Sequence, residues 1–225
     1  MKHLSYFITG TDTGIGKSVI TAGICRILRS KGYDIGVMKP ISTGGRDDAI
    51  FLKKQLGLNT SLDLINPFYF RHPIAPLFAA QLEHKTIHIP KILSDYHTLK
   101  KSHQGVIVEG AGGLLVPLKQ NYLMADLIKN MKLPLIVVTR PTLGTINHTL
   151  LTINSAREYK LNIKGFIVNY YDKNIKKGWT EKLSPVVIER ISGVRYLGEV
   201  PYLTELNKNI IPHKPFESIL ERLSD

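Results

Sequence analysis

The sequence predicts an α/β protein built on an open, doubly wound, mostly parallel sheet with helices on both faces. Three features point to it. Short apolar runs rich in β-branched and aromatic residues recur at residues 6–9, 35–38, 106–108, 135–139, 166–168 and, more weakly, 196–200. These runs are nearly continuous rather than alternating, as strands covered on both faces are. Segments of helical periodicity separate them, the order that parallel βαβ crossovers produce.

Behind the first strand, Ile20, Ile24, Ile27 and Leu28 recur at helical spacing, and Lys31-Gly32 adds a basic residue and a stop glycine. With the strand at 35–38 this makes a βαβ unit. Residues 47–56 carry Ala49, Ile50, Leu52 and Leu56 behind Asp47 and Asp48, carboxylates that suit a helix N-terminus through capping and the dipole. The stretch 66–90 holds Pro67, Pro73, Pro76 and Pro90 and reads as a loop with a short helix. Residues 120–131 and 145–160 read as helices, 208–215 as an irregular tail and 216–223 as a last helix. No repeat, low-complexity tract or linker divides the chain, so one domain over residues 1–225 is expected.

Composition agrees with a folded globule: of 225 residues, 43% are hydrophobic and 21% charged. That length buries a core without disulfides or a structural metal. The lone cysteine, Cys25, falls in an apolar helical pattern and reads as buried packing in a reducing compartment, so a cytoplasmic location is expected. The first residues do not form a secretory segment, and no apolar run is long enough to span a bilayer. Lys plus Arg number 30 against 18 Asp plus Glu, a net +12, which favours anionic partners without naming them. The basic residues are dispersed, with no nucleic-acid recognition motif, so neither a nucleic-acid nor a membrane partner is expected. The histidines show no paired ligand spacing for zinc, and no nucleophile elbow or Cys/His pairing is present. Trp179, among lysines, is expected to cover a surface edge.

In doubly wound sheets ligands sit beyond the carboxyl ends of the strands. Directly after the first strand stands Gly10-Thr11-Asp12-Thr13-Gly14-Ile15-Gly16-Lys17-Ser18, followed by Val19 and the first helix. Glycines let backbone N–H groups converge on phosphate oxygens, the helix N-terminus adds its dipole, Lys17 reaches the β/γ-phosphates and Ser18 can ligate Mg2+. Five residues separate Gly10 from Gly16 where the common phosphate loop has four. A dinucleotide fingerprint fails because its third glycine position holds Val19.

The second strand runs into Lys39-Pro40-Ile41-Ser42-Thr43-Gly44-Gly45. Lys39 could hold charge that develops during transfer, or be a solvated residue before a turn; Thr43 could hydrogen-bond a substrate. One of Asp47 and Asp48 could ligate metal. Glu109-Gly110-Ala111-Gly112-Gly113 delivers a carboxylate from a buried strand and then a turn small enough for the backbone to approach phosphates, so Glu109 fits Mg2+ coordination. After the fourth strand, Thr145 or Asn147 could cap the next helix. Asn169, closing the fifth, could read a purine edge or satisfy a turn.

Taken together, these motifs, with Leu143-Gly144-Thr145-Ile146-Asn147-His148 and Leu197-Gly198-Glu199-Val200-Pro201-Tyr202-Leu203, resemble the dethiobiotin synthetases, phosphate-loop ligases of biotin biosynthesis. The match runs through nearly the whole chain, and the five-residue loop spacing is that family's own form. The resemblance implies a P-loop NTPase type of fold and ATP-dependent carboxylation of 7,8-diaminopelargonic acid by CO2 or bicarbonate, with ring closure to a ureido product. It implies Lys17, Lys39 and Thr13 as catalytic residues, and Ser18, Asp48 and Glu109 around Mg2+. Thr13, Gly14, Ile15, Gly16, Lys17, Ser18 and Val19 would hold ATP with Asp48, Glu109, Gly110, Ala111 and Gly112, and Asn169, Pro201, Tyr202 and Leu203 would lie on its adenine side. Thr43 would bind the substrate amines, and Gly144, Thr145 and Asn147 the substrate carboxylate, from the neighbouring subunit of a homodimer. Thr43 and Ser18 stand where the family often has serine and threonine, and both keep the hydroxyl; Gly14 replaces a common acidic residue. The alternative is a switch ATPase of the positioning and partitioning type. That class predicts an early second lysine where Thr11 and Asp12 stand, and a membrane-seeking last helix where Glu217, Glu221 and Asp225 stand.

Overall fold

The computed structural model describes residues 4–175, 177–204 and 210–224. In chain order it contains β1 (Tyr6–Gly10), α1 (Lys17–Ser30), β2 (Ile35–Met38), β3 (Ile41–Thr43), α2 (Asp47–Leu56), α3 (Leu62–Ile65) and β4 (Phe68–Phe70). Next come α4 (Pro76–Leu82), α5 (Ile89–Ser102), β5 (Gly105–Glu109), β6 (Pro117–Lys119), β7 (Tyr122–Leu123) and α6 (Met124–Met131). The remainder is β8 (Leu135–Thr139), α7 (Thr145–Glu158), β9 (Ile163–Asn169), α8 (Trp179–Ser192), β10 (Tyr196–Val200), a 3-10 turn at Lys214–Phe216 and α9 (Glu217–Ser224).

Six strands form one parallel sheet in the order β10-β9-β8-β1-β5-β2. Every residue of β1, β2, β5 and β8 is buried. Successive side chains of these strands enter opposite cores: Phe7, Val106, Val108, Leu135 and Val137 face one, and Tyr6, Ile8, Ile107, Ile136 and Val138 the other. Two faces, each needing apolar cover, are the reason the strands read as continuous apolar runs. α1, α2 and α9 close the second core; α5, α6, α7 and α8 contribute to the first.

The two strands of the first βαβ unit are not neighbours in the sheet. β5 inserts between β1 and β2, with Tyr6 opposite Ile107 and Val37 also opposite Ile107. β1 therefore sits at the point where the chain turns to either side of the sheet, the place where such sheets bind ligands.

Several boundaries differ from the sequence reading. Residues 120–131 are not one helix: Tyr122 pairs with Lys119 in a small antiparallel ribbon, and α6 starts only at Met124, where the Leu123 N–H donates to Asp126 Oδ2 at 2.7 Å. The stretch 66–90 holds β4, parallel to β3, as well as α4. Its last proline belongs to a helix, since Pro90 occupies the first turn of α5, where a missing N–H costs nothing. Trp179 covers no edge; it opens α8 and is 81% exposed. Of the tail, Lys208 and Asn209 lie outside the described residues, as does Asp225, and the last α-helix begins at Glu217 after the 3-10 turn.

Candidate active site

Between β1 and α1 the chain bends through Gly14 (φ 74) and Gly16 (φ 84), left-handed positions that suit glycine. Gly16 caps α1, no side chain occupies the cap, and the first turn carries no acidic residue. That end of the helix is left to an external anion. From below, Asn169 at the end of β9 donates from Nδ2 to the Ile15 carbonyl at 2.7 Å, so closely that a Cβ on Gly16 would collide with its amide. Gly113 brings the turn after β5 close as well: a Cβ there would lie 3.2 Å from the Gly10 carbonyl oxygen. Lys17 folds over the loop and donates to the Asp12 carbonyl at 2.8 Å. Burial, then the positive charge of Lys39, lower its pKa to about 8.

The adjacent ends of β2 and β5 deliver two further groups beside the loop. Lys39 is 3% exposed and Glu109 1%. Lys39 Nζ donates to Glu109 Oε1 at 2.5 Å, Asp48 Oδ2 at 2.8 Å and the Gly110 carbonyl at 3.2 Å, while Ser18 Oγ donates to the same Glu109 oxygen at 2.9 Å. Burial alone would push the lysine pKa down, yet Glu109 and Asp48 outweigh it and the net shift is upward. For Asp48, likewise, burial would raise the carboxyl, and the pairing with Lys39 carries it below its usual range. Lys39 is thus a fixed cation, and the solvated reading of it is excluded.

Glu109 Oε2 is buried without a hydrogen-bond partner. A buried carboxylate oxygen left unpaired is costly, so this atom marks a place for a further cation or donor. The donors around it, the Ser18 hydroxyl with Asp48 and Glu109, are hard oxygens and few in number. That suits Mg2+, which takes one or two carboxylates and completes its shell with phosphate and water.

A cleft of about 620 Å³ opens over these groups. Of the residues expected to bind nucleotide, metal or substrate, Thr13, Gly14, Gly16, Lys17, Ser18, Val19, Lys39, Thr43, Asp48, Glu109, Ala111 and Gly112 line it. Ile15 is packed beneath the loop, and Gly110 takes part through its carbonyl. Asp47 and Asp48 both face the cleft and both are exposed; what sets Asp48 apart is that it reaches Lys39. Asn169 does not line it but sits beneath the loop, bonded to the Ile15 carbonyl and packed against Gly16; Gly144, Thr145, Asn147, Pro201, Tyr202 and Leu203 do not line it either. Thr145 and Asn147 do not cap α7. Gly144 does so at φ 90, and the buried Thr145 hydroxyl meets that of Thr139 at 2.8 Å. Sequence reasoning missed Ser42, Phe51, Val116 and the Pro73–Pro76 wall. The only signal for that wall was its prolines, which read as loop.

A family model described as an AAA domain matches residues 5–209. The ATP-dependent dethiobiotin synthetase BioD of Thermodesulfovibrio yellowstonii is 44% identical over 221 residues, covering 92% of both chains. Those of Bacillus subtilis (strain 168) and Methanocaldococcus jannaschii are each 40% identical, covering 92% and 86% of this chain and 91% and 92% of theirs. Among solved structures, the cell division ATPase MinD of Pyrococcus furiosus has a TM-score of 0.58 at 16% identity, covering 100% of this chain and 99% of that one. MinD of Aquifex aeolicus has 0.58 at 15%, covering 98% and 95%. At such identities the two MinD structures establish a shared P-loop α/β fold and nothing about activity. The sequence relationship goes further, for two-fifths identity maintained along nearly the full length places this chain in the dethiobiotin synthetase family.

Proposed function

We propose that the chain is an ATP- and Mg2+-dependent ligase that joins CO2 to 7,8-diaminopelargonic acid and closes the ureido ring, giving dethiobiotin, ADP and phosphate. The observation that carries this reading is Lys39, buried beside the phosphate loop and held there by Asp48 and Glu109. One amine adds to CO2 and loses a proton to give a carbamate, and a carbamate oxygen attacks the γ-phosphate, breaking its bond to the β-phosphate oxygen and releasing ADP. The second amine then displaces phosphate from the mixed anhydride and loses its proton as the ring closes. Each intermediate is anionic, so a cation that stays protonated well above neutrality stabilises it where a titrating group would not. Lys17 would hold the triphosphate from the loop side, with Thr13 at the phosphates and Thr43 at the amines. Ser18, Asp48 and Glu109 would hold Mg2+, which when bound offsets phosphate charge. No covalent nucleophile is needed.

The protein is read as a cytoplasmic single-domain homodimer with no nucleic-acid or membrane partner. Cys25 is a buried thiol, in keeping with a reducing compartment. Leu143, Leu151 and Leu115 are 86%, 57% and 53% exposed, an apolar surface suited to a second copy. The start of α7, away from the cleft of its own chain, would then serve the neighbour's. Adenine would lie toward Asn169 and Pro201–Leu203. The resemblance in fold to MinD favours one rival, a switch ATPase. Purified protein given Mg-ATP, bicarbonate and the diamine separates the two: the ligase releases ADP and phosphate in step with a cyclic urea, whereas ATP turnover indifferent to the diamine supports the switch.

A further inference from the structure

Glu83 lies outside the carboxylate cluster and is tied to the cleft from behind. It follows α4 at a turn where His84 adopts φ 48. Its Oε1 accepts from the backbone N–H groups of Arg71 at 2.5 Å and His72 at 3.4 Å, and faces His72 Nδ1 at 3.3 Å. Oε2 accepts from Lys85 Nζ at 2.8 Å, and that ammonium lies over the rings of Tyr69 and Phe70. The Glu83 side chain is 9% exposed, and these donors, Lys85 foremost, hold its carboxyl well below the usual range.

Between Glu83 and the amides it grips runs one wall of the cleft, Pro73, Ile74, Ala75 and Pro76. Two prolines remove two backbone donors from these four residues; Ile74 N–H donates to the His72 carbonyl at 3.0 Å and the Ala75 carbonyl accepts from Phe78 and Ala79, so the wall is anchored at His72 on one side and at the start of α4 on the other. It also abuts the substrate side: a Cβ on Gly44, next to Thr43, would lie 3.2 Å from the Pro73 Cβ. We propose that Glu83 is a positioning residue for the diamine, which by gripping Arg71 and His72 sets the Pro73–Pro76 wall against Thr43 and Asp48. The proposal rests on the ligase reading above and assigns the wall to the organic substrate rather than to ATP.

The test compares full-length wild type, Glu83→Ala and Glu83→Gln by steady-state kinetics and by amide hydrogen exchange. Glu83→Ala raises KM for the diamine about tenfold or more and changes KM for ATP by less than about twofold. Exchange at Arg71 and His72 speeds up in the same variant. Glu83→Gln, whose amide oxygen still accepts from both N–H groups, restores most of each. Equal rises in both KM values, an unchanged diamine KM, or no faster exchange at the two amides overturns the proposal. Wild-type protein that forms no cyclic urea overturns the ligase reading and with it the diamine assignment. The exchange comparison then still decides whether Glu83 holds the wall.

Discussion

Lys39 is buried between Glu109 and Asp48, which makes its charge permanent and its position fixed. A buried ion pair of this kind contributes little net stability, because desolvation offsets most of the attraction. Its value lies in presenting a preorganised cation to anionic intermediates. Lys39→Ala therefore lowers the single-turnover rate about a hundredfold or more while changing ATP affinity by less than about threefold. Equal losses in both would assign Lys39 to binding alone. Lys17 behaves differently, since its pKa lies near 8. ATP binding to the free protein weakens as pH rises through that value, followed by titration calorimetry at several pH values; affinity level up to pH 10 contradicts it. The sign for folding is opposite: between about 8 and the ordinary 10.5 the unfolded chain binds more protons at this site, so its contribution to stability grows with pH. Lys39 and Asp48 were legible as candidates from their place after the second strand, but their protonation was not, because burial and pairing depend on strands 70 residues apart meeting, as Lys39 meets Glu109.

The loop between β1 and α1 was the most legible element, since strand, glycines, Gly-Lys-Ser and helix appear in order over one short segment. Its support was not legible, because Asn169 reaches Ile15 from 154 positions away. Gly16→Ala meets both a left-handed φ of 84 and the Asn169 amide. It weakens ATP binding by about a hundredfold, and the double variant Gly16→Ala/Asn169→Ala recovers part of that loss because the collision is removed. No recovery would mean that backbone strain alone acts. Elements hidden from the sequence were those whose local signals conflict. α5 spaces Ile89, Ile92, Tyr96 and Leu99 as a helix should, yet Pro90 in a proline-rich stretch reads as loop. The ribbon of β6 and β7 is too short for periodicity to reveal, so its residues merged with α6.

For the whole molecule, continuous apolar strands identified a sheet covered on both faces, whereas strand order was beyond the sequence. Nothing local tells that β5 separates β1 from β2, yet that insertion brings Glu109 beside both the loop and Lys39. If α7 of one subunit completes the neighbour's cleft, mixing inactive Lys39→Ala and Asn147→Ala proteins restores activity to about a quarter of wild type, as random pairing requires. No restoration contradicts the shared site. In the ligase reading the bend after β1 grips a triphosphate while Ser18, Asp48 and Glu109 share its divalent ion. Crystals grown with a nonhydrolysable ATP analogue and Mn2+, read by anomalous scattering, test it most directly. The phosphates are expected over Gly14–Lys17 with the manganese peak among those three side chains; an empty loop, or manganese elsewhere, rules this arrangement out.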